Sequence, residues 1–275
     1  MHVRKAVITA AGPDQRQLPL QTLVDRDGAA KSALRILLDE AARAGVEEIG
    51  VVVHPADRER YAAAAGDPGP RLAFVPQSEA RGYAHALVCA RDFVGDHLWI
   101  ASGERGAAQE LVAVAESETA AVSAVQSTRE SHLKLYGAIG GTRISGRGDL
   151  YEIDAVIEKP TPTEAEQKLF VPGLRAGHYL CFFGMHVLPA SIFRHIDLEL
   201  AAAAPARPSL SGALARLLGK EKWLACEVNA RRFNLGEKYG LLTAQLALGL
   251  AGKDRDDVLT QLTDLLAQRG RATSA

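Results

Sequence analysis

"KAVITAAGPDQR", residues 5–16, is the stretch on which the reading of this chain turns. Ala6, Val7 and Ile8 form a short apolar run, and Ala10-Ala11-Gly12 follows at once. A buried strand that runs into a small-residue turn lets backbone N–H groups come close to a phosphate. The turn continues as Pro13-Asp14-Gln15 and has no second glycine. Many α/β proteins carry a small-residue turn at such a place, so what surrounds it has to decide.

Outward from that turn, the first half of the chain alternates strand and helix. Val3 to Thr9 reads as a strand. Ala29 to Arg43 reads as a helix, with Ala33, Leu34, Leu37, Leu38 and Ala41 at helical spacing and Gly45 past its end. Glu48 to Val53 is a continuous apolar strand of the buried parallel kind. Ala56 to Ala65 reads as helix, Arg71 to Val75 as strand, Tyr83 to Asp92 as helix and His97 to Ala101 as strand. Such alternation predicts a doubly wound sheet whose ligands bind at the carboxyl ends of the strands. Gly12, Gln77 and Ser102-Gly103-Glu104 all fall just past predicted strand ends.

Beyond about residue 130 the pattern is mixed. Residues 136–160, "YGAIGGTRISGRGDLYEIDAVIEKP", read as strands joined by a glycine-rich turn. Tyr179 to Val187 is a further strand. Ile192 to Leu200, Ser211 to Leu218, Glu237 to Leu250 and Asp256 to Gln268 read as helices. "AAAAPARP", residues 201–208, reads as a surface loop or helix end, too short to act as an interdomain linker.

Composition narrows the classes. The 275 residues are 47% hydrophobic, enough for a substantial core, and the formal charge of -1 does not suggest nucleic acid or an anionic membrane as partner. No apolar run is long enough to span a bilayer, and the N-terminus lacks the apolar segment of a signal peptide. Cys89, Cys181 and Cys226 are too far apart for a disulfide framework or a zinc site, so a cytoplasmic location is expected.

Four segments, in order, resemble the sugar-nucleotide pyrophosphorylases, and most closely the bacterial UTP–glucose-1-phosphate uridylyltransferases. Ala10-Ala11-Gly12, Arg16 and Pro19 stand at the spacing of that family's AAGxGTRxxP, and residues 23–53 resemble the segment that follows it, with a small insertion before Lys31. "PQSEARGYAHALVCARDFVGD", residues 76–96, resembles RQxxxxGLGHAVxxAxxxxGD. Tyr136-Gly137 and Glu158-Lys159-Pro160 match YG and EKP, and residues 176–193 resemble AxxGRYVLxPxIF. "RRFNLGEKYGLLTAQLALGL", residues 231–250, resembles RYDIGxKxGYxxAxxxxAL.

The resemblance implies an α/β fold: one Rossmann-like nucleotidyltransferase domain with a mostly parallel doubly wound sheet, a mixed β sugar-binding part and C-terminal helices. A nucleotide half would span about 1–130, a sugar half about 131–250, and a C-terminal helix 251–275. It implies transfer of a uridylyl group from UTP to a sugar 1-phosphate, giving a UDP-sugar and pyrophosphate, with Mg²⁺ as cofactor and a homo-oligomeric assembly. Nucleotide contacts would come from Ala11, Gly12, Gln77 and Gly82; a glutamine amide, one donor and one acceptor, suits the imide edge of uracil. Gly137, Glu158 and Lys159 would line the sugar-phosphate site, Glu158 accepting from sugar hydroxyls and Lys159 binding phosphate as a point charge. Arg16 and Lys159 would be the catalytic cations.

The reacting centre departs from the family. Glu104 in "IASGERG" and Asn234 in "RRFNLG" take the places of the two metal-binding aspartates. The P-K-E-M-L-P segment that carries the family's catalytic lysine is missing, and Asp14 replaces a glycine of the phosphate loop. Arg16, Arg26, Lys31 and Arg105 are the cations that could compensate. Two readings stay open at this point: an active uridylyltransferase, or a member without turnover that binds a sugar nucleotide or sugar phosphate, or serves as a partner or regulatory subunit.

Overall fold

The computed structural model describes residues 2–13, 16–94, 97–100, 106–202 and 209–272. Its strands are β1 (Lys5–Thr9), β2 (Thr22–Val24), β3 (Ala30–Ser32), β4 (Glu48–Val53), β5 (Arg71–Pro76), β6 (His97–Ile100), β7 (Ala121–Arg129), β8 (Gly137–Arg143), β9 (Leu150–Glu158), β10 (His178–Pro189) and β11 (Trp223–Glu227). Between and after them lie α1 (Ala33–Arg43), α2 (Arg58–Ala65), α3 (Tyr83–Cys89), α4 (Arg91–Val94), α5 (Ala107–Glu118), α6 (Pro162–Lys168), α7 (Ile192–Ala202), α8 (Leu210–Ala215), α9 (Gly240–Leu250) and α10 (Arg255–Ala272). Among the described residues no helix is long and apolar enough to cross a membrane.

Helix boundaries follow local chemistry. The segment that reads from sequence as a helix from Ala29 begins as β3 instead, pairing with β2 around a turn at Asp25–Gly28. Ser32 then starts α1, its hydroxyl accepting the Arg35 N–H at 2.9 Å. Thr161 and Glu164 form a reciprocal capping box at the start of α6, and Pro162 occupies the first turn, where its missing N–H costs nothing. A buried Glu40 on α1 accepts the N–H groups of Gly106 (2.7 Å) and Ala108 (3.1 Å), placing a carboxylate at the positive end of α5.

Among the described residues nine strands form one sheet, in the order β5-β4-β1-β6-β10-β7-β11-β9-β8. Apolar residues alternate along the strands and feed two cores. Ile49, Val51 and Val53 of β4 join Leu34 and Leu38 of α1, Tyr61 of α2 and Leu111 of α5 on one face. Val7 and Val52 join Leu87 of α3, Ile192 and Ile196 of α7 and Leu214 of α8 on the other. Helices therefore cover both faces, as the alternating sequence predicts. Truncating a fully buried leucine such as Leu34 to alanine is worth about 2–5 kcal/mol.

The expected mostly parallel sheet holds for β5-β4-β1-β6, where each neighbouring pair is parallel. Further on, the sheet is more mixed than expected. β10 runs antiparallel to β6, β7 and β8, and β9 runs antiparallel to β11 and β8. Because β8 also pairs with β10 (Leu180 with Ile139, Cys181 with Ala138), the strands β10, β7, β11, β9 and β8 close into a five-stranded ring. Irregular register between Phe182 and His186 in β10, and at Gly140/Gly141 in β8, supplies the bends that closure requires.

Candidate active site

A cleft of about 810 Å³ opens where the carboxyl end of β1 meets the five-stranded ring. Thr9, Gly82 and Tyr83 contribute from the first half of the chain. Tyr136, Gly137, Glu158, Lys159, Phe182, His186 and Ser211 contribute from the ring side, with Arg232 and Asn234 between. This is the edge at which a doubly wound sheet exposes strand ends and loop backbone to a ligand.

The residues of the expected sugar site are brought together. Gly137 opens β8 and pairs in register with Glu158, the last residue of β9. The Ser211 hydroxyl donates to Glu158 Oε2 at 2.5 Å. A Cβ on Gly137 would lie 2.5 Å from Ser211 Oγ and 2.9 Å from both Glu158 Oε2 and the Phe182 ring. Only glycine leaves this floor undisturbed.

Lys159 follows at φ +47°, a left-handed conformation that costs a residue with a Cβ roughly 1–2 kcal/mol. Its backbone N–H reaches the Tyr136 carbonyl at 3.2 Å. The ammonium is exposed on the cleft wall and has no ion pair among the described residues.

The other cations are committed elsewhere. Arg16 is not on the cleft wall: its Nε meets Asp57 Oδ2 at 2.5 Å, and that hydrogen bond holds the Asp57 carboxyl below its ordinary range. Tyr61 donates to the carbonyls of Ala10 (3.3 Å) and Arg16 (2.9 Å), clamping the loop on both sides of Gly12. Lys31 is ringed by Asp25 (3.0 Å), Asp27 (2.7 Å) and Asp39 (3.1 Å). Burial opposes its charge, but these hydrogen bonds outweigh burial and hold Lys31 above its ordinary value. Arg232 lies 3.4 Å above the Tyr136 ring and donates to the Phe182 carbonyl and to Thr128 Oγ1; burial pulls it below the usual arginine range.

The nucleotide residues are arranged less directly. Ala11 is buried, and a Cβ on Gly12 would meet nothing within 4 Å among the described residues. Gly82 is on the cleft wall at φ +99°, a conformation that favours glycine. Gln77 is buried behind it and does not line the cleft. Its amide nitrogen is 3.4 Å from the Gly82 carbonyl and 2.9 Å from His85 Nδ1.

Of the two expected metal ligands, Glu104 lies outside the described residues, as do Asp14 and Arg105. Asn234 is on the cleft wall, and its Oδ1 accepts the Gly236 N–H at 3.1 Å. Leu18 and Pro19 line the wall nearby, where the shortened loop brings apolar groups rather than a cation. One neutral amide oxygen already accepting a hydrogen bond is a poor Mg²⁺ ligand by itself. The described donor set therefore does not amount to a metal site of its own.

Three residues that line the cleft, Ser211, His186 and Arg232, are not among the expected site residues. Ser211 lies 53 residues from Glu158, and Ser123 lies 63 residues from His186, whose ring it contacts. Nothing at short range marks either pair. Arg232 could have been singled out, because it precedes Phe233-Asn234 in a matched segment.

No family model matches the chain. It is 27% identical over 303 residues to the UTP--glucose-1-phosphate uridylyltransferase YngB of Bacillus subtilis, covering 96% of each chain. A second Bacillus subtilis protein, named UTP--glucose-1-phosphate uridylyltransferase, is 26% identical over 298 residues, covering 96% of this chain and 97% of the relative. Among solved structures, a UDP-glucose pyrophosphorylase from Acinetobacter baumannii superposes with a TM-score of 0.73 at 22% identity, over 96% of this chain and 99% of that one. A UDP-glucose pyrophosphorylase complexed with UDP-glucose superposes with a TM-score of 0.70 at 18% identity, over 89% and 98%. Ordered motifs, near full-length similarity and a shared fold converge: over nearly its whole length the chain is similar to the sugar-nucleotide pyrophosphorylases named UTP--glucose-1-phosphate uridylyltransferase.

Proposed function

We propose that the protein forms a UDP-sugar and pyrophosphate from UTP and a sugar 1-phosphate, with glucose 1-phosphate as the sugar substrate to test first. A phosphate oxygen of the sugar 1-phosphate attacks the α-phosphorus of UTP, and the bond to the β-phosphate breaks. No covalent enzyme intermediate is needed; the protein has to align two anions and offset the charge between them. The observation that carries this reading is Lys159, a cation on the cleft wall with no ion pair among the described residues, next to Glu158, which pairs with Gly137. Lys159 would hold the phosphate of the sugar 1-phosphate, and Glu158, oriented by Ser211, would accept from sugar hydroxyls.

The base would lie against the backbone at Gly82, with Gln77 and His85 holding that segment from behind. The Ala11-Gly12 backbone would face the phosphates of UTP, with Arg16 acting through Asp57 to hold the loop. Mg²⁺, when bound, supplies positive charge beside the phosphates; Asn234 and Glu104 would add to oxygens that the nucleotide itself brings. A homo-oligomer and a reducing, cytoplasmic setting complete the proposal; Cys89, Cys181 and Cys226 are unpaired thiols, which suits that setting.

The test is UDP-glucose formation from UTP and glucose 1-phosphate with Mg²⁺, followed by pyrophosphate release, with calorimetric binding of UTP and UDP-glucose in parallel. Turnover is expected, with UDP-glucose bound more tightly than UTP because the sugar side matches the family better than the triphosphate side does. Binding without turnover at any Mg²⁺ concentration overturns the catalytic component of the proposal.

A further inference from the structure

His186 is a buried histidine on β10 that faces the cleft; it lies within the matched stretch 176–193 but has been given no role above. It stands opposite Ser123 of β7 in the strand register, and Ser123 Oγ is 2.7 Å from His186 Nδ1. Trp223 Nε1, on β11, is 2.9 Å from the same Ser123 oxygen. All three side chains are buried.

The direction of the chain of hydrogen bonds follows from what each group can do. An indole N–H only donates, so Ser123 Oγ accepts from Trp223. No acceptor for the Ser123 hydroxyl hydrogen other than His186 Nδ1 is present among the described residues. Nδ1 is therefore the unprotonated nitrogen, and in the neutral ring Nε2 carries the hydrogen. Burial pushes His186 down to about 3, so the ring is neutral throughout the physiological range. Nε2 has no protein partner among the described residues, and it is the one polar ring atom left for the cleft. The ring is fixed in place by an edge-on contact with Phe182, centroids 5.2 Å apart, and Phe182 in turn borders the floor at Gly137.

We propose that His186 is a specificity-determining residue of the sugar site, its Nε2–H donating to one sugar hydroxyl, with Ser123 as the positioning residue that sets the tautomer. An uncharged donor of fixed direction suits a hydroxyl rather than a phosphate. The Trp223–Ser123 chain behind the ring polarises it and strengthens that single bond. The assignment rests on the proposed sugar 1-phosphate site.

The test compares wild type with His186→Phe, which keeps an aromatic ring against Phe182 and removes the donor. Binding of glucose 1-phosphate and of its monodeoxy analogues is measured by calorimetry. His186→Phe is expected to lose about tenfold for glucose 1-phosphate, as for one hydrogen bond, and nothing for the one analogue that lacks the contacted hydroxyl. An equal loss across the whole set, or no loss at all, overturns the assignment while leaving the proposed function standing. Failure of the wild type to bind any sugar 1-phosphate overturns both.

A second measurement does not depend on the variant folding. In ¹⁵N-histidine spectra of the wild type, His186 should show a protonated Nε2 that shifts on addition of glucose 1-phosphate, and Ser123→Ala should mix the tautomers. A protonated Nδ1, or a His186 signal indifferent to the ligand, overturns the assignment.

Discussion

Ser211 Oγ and Glu158 Oε2 are 2.5 Å apart, so a hydroxyl at the start of α8 aims the carboxylate at the end of β9. The contact sits directly over Gly137, where no side chain could be added without displacing one of the two. Ser211→Ala removes the donor without burying an unpaired charge, because Glu158 is exposed. It is expected to weaken glucose 1-phosphate by about 1 kcal/mol. Gly137→Ala should cost more, roughly 1–3 kcal/mol, because its Cβ overpacks the floor. Calorimetric titration of both variants checks the order; equal effects would separate Gly137 from the sugar site.

Lys159 adopts φ +47° without being a glycine, a strain that persists only where the surroundings hold it. Lys159→Gly should relieve it and raise stability by up to about 1 kcal/mol, while weakening the sugar phosphate by roughly 1.5–3 kcal/mol. Thr119, the C-cap of α5, has the same φ of +47°. Thr119→Gly should therefore stabilise by a similar amount and leave ligand binding alone. Urea unfolding paired with calorimetry distinguishes the two; a destabilised Lys159→Gly would contradict the strain argument.

Asn234→Asp keeps an oxygen for the Gly236 N–H and restores a negative charge to the cleft wall. The free wild-type protein should bind Mg²⁺ very weakly, and the variant more tightly. If the lost charge limits the reaction, turnover should rise with metal affinity. If the missing lysine segment limits it, metal affinity should rise alone. A variant with neither change would place Asn234 away from any metal.

Asp57 contributes to acid stability with a defined sign. The hydrogen bond from Arg16 holds its folded pKa below the ordinary value of 3.8. Its stabilisation is therefore fully present above about pH 4 and is lost as pH falls through the lower folded value. Asp57→Asn removes that dependence. Urea midpoints measured from about pH 5 down to about pH 2.5 should fall less steeply in the variant, and parallel slopes would exclude Asp57 as a source of the acid limb.

Gln77 touches Gly82 and His85 rather than the open cleft, so it would act on the base through the Gly82 backbone. Gln77→Ala should loosen that segment and reduce discrimination between UTP and ATP. Competition binding of the two nucleotides reads the effect directly. A wild-type protein that binds both equally would remove base selection from this loop.

Much of this molecule is visible in the linear chain because it depends on near neighbours. The apolar run of Glu48 to Val53 and the helical spacing from Ala33 to Ala41 each point to one element, and both elements form. The motif resemblance assigns Gly137 and Glu158 to one site, and strand register sets them opposite each other. The linear pattern starts α1 too early because alanines at 29 and 30 favour helix, whereas pairing of Ala30–Ser32 with Thr22–Val24 overrides that local preference.

What the amino-acid sequence determined by itself was the alternation of strand and helix and the parallel half of the sheet; through the motif resemblance it also singled out Gly137, Glu158 and Lys159 as one group. Only the tertiary structure decided which charges remain available. Arg16 and Lys31 are both cations close in sequence to the phosphate loop. Folding hands Arg16 to Asp57, 41 residues away, and surrounds Lys31 with three carboxylates, while Lys159 has no ion pair among the described residues. In the same way, Trp223 and Ser123 are 100 residues apart and jointly determine which nitrogen of His186 carries its hydrogen. Periodicity records what a residue's neighbours along the chain prefer; electrostatic and hydrogen-bond energies fall off within a few ångströms, so a side chain's partner is settled only when packing brings distant segments into contact.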